Sequence, residues 1–327
     1  MKSVTIAAAG GPEVIALTEV SIPEPNAGEV RIKVAYAALN PLDNHARAER
    51  IKWNHPGFPF TPGFEYAGLV DVVGEGVDAS LVGKRVASNA GWGGCAEYAI
   101  APAATLEQVP DGLNWQTAAC YSTCAYTAWL LVHSAAKLQA GQSIALHSAA
   151  GAVGALTTQV AKSAGATVFA LAGGEAKLDY AKQFGADHFV DYTQDDWPQQ
   201  IMALNGGKGV DVIIDGNAGP NALRNLDAIA PLGNVIYIGA TAGQAPEGAN
   251  ISMLIGKSCS VSGFVQYFHQ ARSGGAEKEA MHSKLASGEW RIPIEKIYTL
   301  ETVADAHRAW EARGLSGRAL INVGGEL

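Results

Sequence analysis

His147-Ser148-Ala149-Ala150-Gly151-Ala152-Val153-Gly154 is the stretch on which the fold turns. It follows the apolar run Ser143-Ile144-Ala145-Leu146 and opens a helical pattern over 153–164. A glycine-rich turn between a strand and a helix is the context in which backbone amides cradle a pyrophosphate. Against the spacing G-x-G-x-x-G, Ala149 stands first, Gly151 second and Gly154 third. Gly151 lets the backbone approach the phosphates without an intervening Cβ, and Gly154 lets the helix sit close to the strand. The amides from Ala150 through Gly151 and Ala152 to Val153 then face an anion at the positive end of the helix dipole. The alanine at the first position weakens the match, and the bland alternative is a strand-to-helix turn that binds nothing.

Working outward, the chain beyond the turn alternates strand and helix. Strands are predicted over 167–171, 188–190, 210–215, 234–238 and 259–262, with a helix over 175–184 ending at Gly185. Short continuous apolar strands separated by helices call for a parallel sheet covered on both faces, the doubly wound dinucleotide-binding architecture. The second strand ends Ala170-Leu171-Ala172-Gly173-Gly174. Gly173 stands where an NAD-binding chain places the acid that hydrogen-bonds the ribose 2′-hydroxyl. Lys177 lies one helical turn later, and Tyr192 lies past the third strand, able to reach a 2′-phosphate or lie against adenine. Missing acid and available lysine together favour NADPH over NADH. The competing account of Lys177 is a solvated helix residue.

Before residue 115 the texture differs. Glu29-Val30-Arg31-Ile32-Lys33-Val34 alternates polar and apolar, the period of a half-buried strand. Further short strands are expected at 68–73, 83–87 and 96–100, with prolines between the runs. After about residue 265 the chain turns helical and closes on a strand at 318–323, too short a tail to stand alone.

Composition narrows the function. The 327 residues are 48% hydrophobic, and 31 acidic residues against 23 basic give a formal net charge of −8. Lys and Arg form no run, so neither a nucleic-acid backbone nor an anionic membrane surface finds a landing strip. Four cysteines without a CxxC pair exclude a disulfide scaffold and a zinc ribbon. The 38 glycines, about 12% of the chain against a usual ~7%, mark many tight turns. The stretch 143–161 is interrupted by His147, Gln159 and two glycines, so it is read as strand, turn and helix, not as a membrane span. The opening Met1-Lys2-Ser3-Val4-Thr5-Ile6 is read as a strand rather than a signal peptide, and a soluble, cytoplasmic protein is expected.

Several motifs in order give the chain a family likeness. They are Asn40-Pro41-Leu42-Asp43, Pro62-Gly63-Phe64-Glu65-Tyr66-Ala67-Gly68, Gly93-Gly94-Cys95-Ala96-Glu97-Tyr98, Thr127-Ala128-Trp129, the 149–154 turn, Phe184-Gly185-Ala186-Asp187, and the closing Ala306-His307-Arg308-Ala309-Trp310 and Gly317-Arg318-Ala319. Together they resemble the medium-chain dehydrogenase/reductase superfamily and, within it, the zinc-free quinone-oxidoreductase branch. The resemblance implies an α/β chain in which a Rossmann doubly wound parallel sheet, 118–265, is inserted in a GroES-like β-rich catalytic domain, 1–117 and 266–327. It also implies a homodimer paired through the last Rossmann strand, around 259–262, whose edge would otherwise stay open.

Zinc members of that superfamily hold metal through a Cys, a His in Gly-His-Glu, and a second Cys. Here those positions read Asn40, Phe64 and Thr123, leaving Glu65 alone. One carboxylate cannot hold Zn²⁺, so no metal is expected. Without a Lewis acid, the matching acceptor spreads the arriving negative charge over its own π-system, as a quinone or an α,β-unsaturated carbonyl does.

The resemblance further implies site residues. Asn40 is expected to hydrogen-bond the acceptor oxygen and Asp43 to orient Asn40 or its loop. His45 stands where several members carry Tyr, and is either a proton donor or a structural histidine. Trp53, Phe58, Phe60 and Phe64 suit a flat acceptor and suit ordinary core equally. On the coenzyme side, Thr127, Asn217, Phe264 and Val265 are expected near the nicotinamide end, Gly239, Ala240 and Thr241 at the carboxyl edge of the fifth strand, and Arg318 at the phosphates. The leading expectation is an NADPH-dependent quinone or enone reductase. The alternatives are a zinc-free carbonyl or alcohol dehydrogenase-like reductase, and a dinucleotide-binding protein without catalysis.

Overall fold

The computed structural model describes residues 1–52, 54–242 and 251–327. Strands β1 (Lys2–Ile6) and β2 (Ile15–Glu19) pair antiparallel. There follow β3 (Glu29–Ala38), β4 (Glu65–Val73), β5 (Arg85–Ser88), β6 (Tyr98–Pro102) and β7 (Glu107–Gln108). The alternation expected at 29–34 is realised: Val30, Ile32 and Val34 are buried while Lys33 is exposed. Then come β8 (Ser143–His147), β9 (Thr167–Ala172), β10 (His188–Asp191), β11 (Val210–Asp215), β12 (Ile229–Tyr237) and β13 (Ser260–Gly263). The last two are β14 (Ile294–Thr299) and β15 (Arg318–Asn322).

The chain forms two compact units, Met1–Thr123 with Ile294–Leu327, and Cys124–Pro293. In the first, β15 lies between β14 and β3, and the sheet continues through β4 and β5 to β7, with β6 also on β3. Its core gathers Val30, Ile32, Val34, Tyr66, Val70 and Val86 with Leu300, Val303 and Ile321 from the returning tail. The division differs from the expected border near residue 265. The helices Gln266–Ser273 and Ala276–Ala286 pack on the helix Tyr126–Leu130, so they belong with the second unit.

In the second unit six strands run parallel in the order β10-β9-β8-β11-β12-β13. The chain leaves β8 for β9 and β10 on one side, then crosses to β11 on the other, a topological switch point beside β8. Register sets what lies there. Leu146 pairs with Ile214, and Ile214 with Ile236, so the carboxyl ends of β8, β11 and β12 finish level. The stretch 143–161 is β8, the turn and the helix Ala152–Ser163. Among the described residues no helix is long and apolar enough to cross a membrane.

Candidate functional site

The glycine turn has the geometry of an anion cradle. Ser148 takes a positive φ of 56°, and its carbonyl accepts the Gly151 amide at 2.8 Å. A Cβ on Gly154 would lie 2.4 Å from that same carbonyl oxygen, so helix and turn meet at a distance only glycine permits. Gly151 is the N-cap of Ala152–Ser163, and no side chain caps this helix, which leaves its first amides for a ligand. Ala150 and Ala152 are buried.

At the end of β9, a Cβ on Gly173 would sit 3.1 Å from the Tyr192 hydroxyl. The tyrosine therefore occupies the space beside the position that carries no acid. Asp191 fixes this corner by accepting the amides of Gly174 at 3.2 Å and Thr193 at 2.9 Å, and the Thr193 hydroxyl at 2.7 Å. Lys177 lies half-buried on the helix Glu175–Ala181.

Asn217 follows β11, and its Oδ1 accepts the hydroxyls of Ser148 and Thr241, both at 3.0 Å. Gly239 and Ala240 are exposed beyond β12. Phe264 is buried and stacks on His269 with ring centres 4.8 Å apart, while Val265 is exposed. Thr127 donates its hydroxyl to Gln266 at 3.0 Å, joining two helices of this unit.

In the first unit, Asn40 precedes the helix Pro41–Arg47, and its amide donates to Asp43 Oδ2 at 2.8 Å. Asp43 Oδ1 accepts the amides of Gly63 at 2.8 Å and Phe64 at 3.1 Å, tying the 60–64 loop to this helix. Burial pushes the Asp43 carboxyl up to about 6, against these backbone donors and Arg318, which pull it down.

The structure engages two expected site residues, Asn40 and Arg318, within the protein, and gives His45 a packed setting. Asn40 Nδ2 donates to Ala38 O at 3.2 Å and Glu65 Oε2 at 3.1 Å, so both its donors are engaged within the protein. Arg318 is not extended toward a phosphate. Its guanidinium is buried, donating to Asn40 Oδ1 and Glu65 Oε2, both at 3.0 Å, and to Leu39 O at 3.2 Å. Glu65 also accepts the Thr123 amide at 2.6 Å. A fully buried carboxylate needs such a partner, which explains why the arginine turns inward. His45 packs its ring edge-on to Trp310 at 5.9 Å. Burial, helped by Arg50, lowers its pKa below the ordinary imidazole value, so it is neutral at pH 7.

Among the aromatics, Phe60 is core, packed with Ile6 and Ala46. Phe58 is half-buried against Phe60 at 5.5 Å, and Phe64 half-buried against Trp92, also at 5.5 Å. Trp53 lies outside the described residues.

Residues 26–111 match the family described as "Alcohol dehydrogenase GroES-like domain", and residues 152–279 the family described as "Zinc-binding dehydrogenase". A quinone oxidoreductase of Lama guanicoe is 32% identical over 325 residues, spanning 98% of this chain and 97% of that protein. The chain belongs to the medium-chain dehydrogenase/reductase superfamily, in its quinone oxidoreductase-like branch. Two solved structures show the same fold along the whole chain. One, described as an NAD-dependent alcohol dehydrogenase, is 28% identical with a TM-score of 0.89, covering 99% of this chain and 100% of that one. The other, mycobacterial Rv1454c complexed with NADPH, is 27% identical with a TM-score of 0.90, covering 98% and 100%.

As a medium-chain dehydrogenase/reductase the protein is an oxidoreductase, with a GroES-like unit and a Rossmann unit. Sequence reasoning missed how this superfamily member spends its polar groups. The Glu65–Arg318 pair joins positions far apart in the chain, and no local pattern announces it. His147, Asp215 and Asn225 were also passed over, although a His and an Asp ending otherwise apolar strands were a readable signal. Among the described residues no three His, Cys, Asp or Glu side chains gather as metal ligands do.

Proposed function

We propose that this protein is an NADPH-dependent reductase of quinones or α,β-unsaturated carbonyls that works without a metal. The observation that carries the reading is what stands around Glu65. The zinc members' ligand positions hold Asn40, Phe64 and Thr123, and Glu65 itself is matched by the Arg318 guanidinium at 3.0 Å. An amide, a phenyl ring and a hydroxyl beside a carboxylate already paired with a cation do not suit Zn²⁺, which takes imidazole and thiolate. With no Lewis acid, the chemistry favours an acceptor that delocalises charge unaided.

For the coenzyme, the uncapped helix at Gly151 suits a pyrophosphate, and the Gly173–Tyr192–Lys177 corner suits a 2′-phosphate. No carboxylate at Gly173 repels that group, and a hydroxyl and an ammonium are at hand. The NADPH complex of the mycobacterial relative supports the same choice. Bound NADPH supplies the hydride. The chain contributes the Ala150–Val153 amides that hold the phosphates and, in the GroES-like unit, the half-buried Phe64–Trp92 pair as a wall suited to a flat acceptor. Asn40 and Asp43 brace the loop that carries Phe64. Cys95, Cys120 and Cys124 are buried thiols, and so low a cysteine content fits a reducing cytoplasmic setting. The exposed β13 edge is the surface for a second copy.

The test is turnover of 1,4-benzoquinone and of a simple enone with NADPH and NADH compared, alongside metal analysis of the active protein. Faster turnover with NADPH and no stoichiometric zinc is expected. Zinc at one per chain, or oxidation of a simple alcohol in place of quinone reduction, would overturn the reading in favour of alcohol dehydrogenase chemistry.

A further inference from the structure

We propose that His147, Asn225 and Asp215 form a positioning chain that sets Asn217 to present its carboxamide NH₂ to the bound coenzyme. The inference rests on the coenzyme reading above and assigns a task to buried groups which that reading leaves unused.

The three side chains meet under the level carboxyl ends of β8 and β11, and all are buried, Asn225 completely. Asn225 Nδ2 donates to Asp215 Oδ2 at 2.9 Å and faces the Tyr237 hydroxyl at 3.3 Å. Its Oδ1 is therefore the atom turned to His147 Nε2, at 2.8 Å. A carbonyl oxygen can only accept, so Nε2 carries the imidazole proton in this contact. The ring itself is held between Trp197, edge-on at 5.3 Å, and Tyr192 at 5.7 Å. Every link in the chain thus has one fixed donor and one fixed acceptor.

Its output lies at Asp215 Oδ1, which accepts the amides of Asn217 at 2.7 Å and Ala218 at 3.0 Å. Ala218 has a φ of 49°, a conformation that side chains other than glycine rarely take. The carboxylate holds the backbone in that turn. The turn in turn aims Asn217, whose Oδ1 accepts the Ser148 hydroxyl and shares the single Thr241 hydroxyl proton with Gly216 O, which lies 3.1 Å from that hydroxyl. Among the described residues Nδ2 has no protein acceptor, and Asn217 is only half-buried. The Nδ2 donors are thus left on a half-buried side chain at the strand ends, joined to the phosphate turn through Ser148. They fit a hydroxyl or carbonyl oxygen of the coenzyme.

The experiment measures the NADPH dissociation constant by fluorescence titration, with the unfolding midpoint of each variant recorded. Asp215→Asn sets an amide NH₂ against the Asn225 NH₂, and is expected to weaken NADPH about tenfold. Adding Asn225→Asp reverses donor and acceptor between the two positions, closes the chain again, and should recover most of that loss. Asn217→Asp keeps the acceptor for both hydroxyls but replaces the NH₂ with a carboxylate oxygen. It should weaken NADPH at least about tenfold with an unchanged unfolding midpoint, and it reads the proposal even if Asp215→Asn fails to fold. Unchanged affinity in Asn217→Asp, or no recovery in the double variant of a folded Asp215→Asn, would overturn the positioning chain alone. No NADPH binding by the unsubstituted chain would overturn the coenzyme reading with it.

Discussion

The two polar clusters of this protein are built to opposite plans. In the GroES-like unit, Asn40, Asp43, Glu65 and Arg318 turn inward and hydrogen-bond each other and the local backbone. In the Rossmann unit, buried His147, Asn225 and Asp215 are joined in the same way, but their network runs on to Asn217, a half-buried residue at the strand ends. The first plan holds a loop and a strand in place. The second reaches a side chain that is only half-buried, where we propose the coenzyme meets it. A polar residue in a family motif therefore identifies its function only once its hydrogen bonds have been traced to their ends.

The sharpest way to break this contrast is Arg318→Met. It strands the buried Glu65 carboxylate and should destabilise the protein by about 3–5 kcal/mol in denaturant unfolding. NADPH affinity of the folded variant should stay within about twofold, whereas an arginine reaching a phosphate would give the reverse pattern.

Asp43 gives a smaller effect with a definite sign. Its folded value of about 6 lies above the ordinary ~3.9, so between those limits the folded state keeps a proton that the unfolded state has released. This group's contribution to stability is full below about pH 4 and is lost as pH rises through about 6, a change of order 1–3 kcal/mol. Unfolding measured across that range should show the fall in the natural chain, and Asp43→Asn should flatten it. An equal slope in both would place the raised proton affinity elsewhere.

On the Rossmann side, Lys177→Ala should raise KM for NADPH about tenfold and leave KM for NADH nearly unchanged. Equal effects on both coenzymes would remove the lysine from the 2′-phosphate corner. The least expected change is that of His45→Gln. A histidine already neutral at pH 7 and packed on Trp310 makes a poor acid there, so kcat should fall by no more than about twofold. A tenfold loss with a missing alkaline limb would restore the proton-donor role.

What could be read without coordinates follows the range of the physics. The turn at 147–154 was legible because its constraint is local: a Cβ at Gly154 collides with a carbonyl six residues back. Strand alternation at 29–34 and the carboxylate missing at Gly173 are local as well. Arg318 was not legible, since its partner Glu65 lies on a strand that the tail reaches only in the folded sheet. Nor was the limit of the Rossmann unit. Helices 266–273 and 276–286 carry largely polar sequences that announce no packing partner, and only their contacts with Tyr126–Leu130 assign them.

The strand order of the GroES-like sheet has a consequence for how the protein is made. Because β15 is laid between β14 and β3, the 36–38 end of β3, which β6 does not cover, emerges from the ribosome long before its neighbour. Until residues 318–322 are translated, that edge is open to wrong pairing and Glu65 lacks its guanidinium. The Rossmann unit, contiguous in sequence, is under no such delay. Nascent chains halted before residue 318 should therefore carry a finished nucleotide fold joined to a sheet that chaperones must still guard.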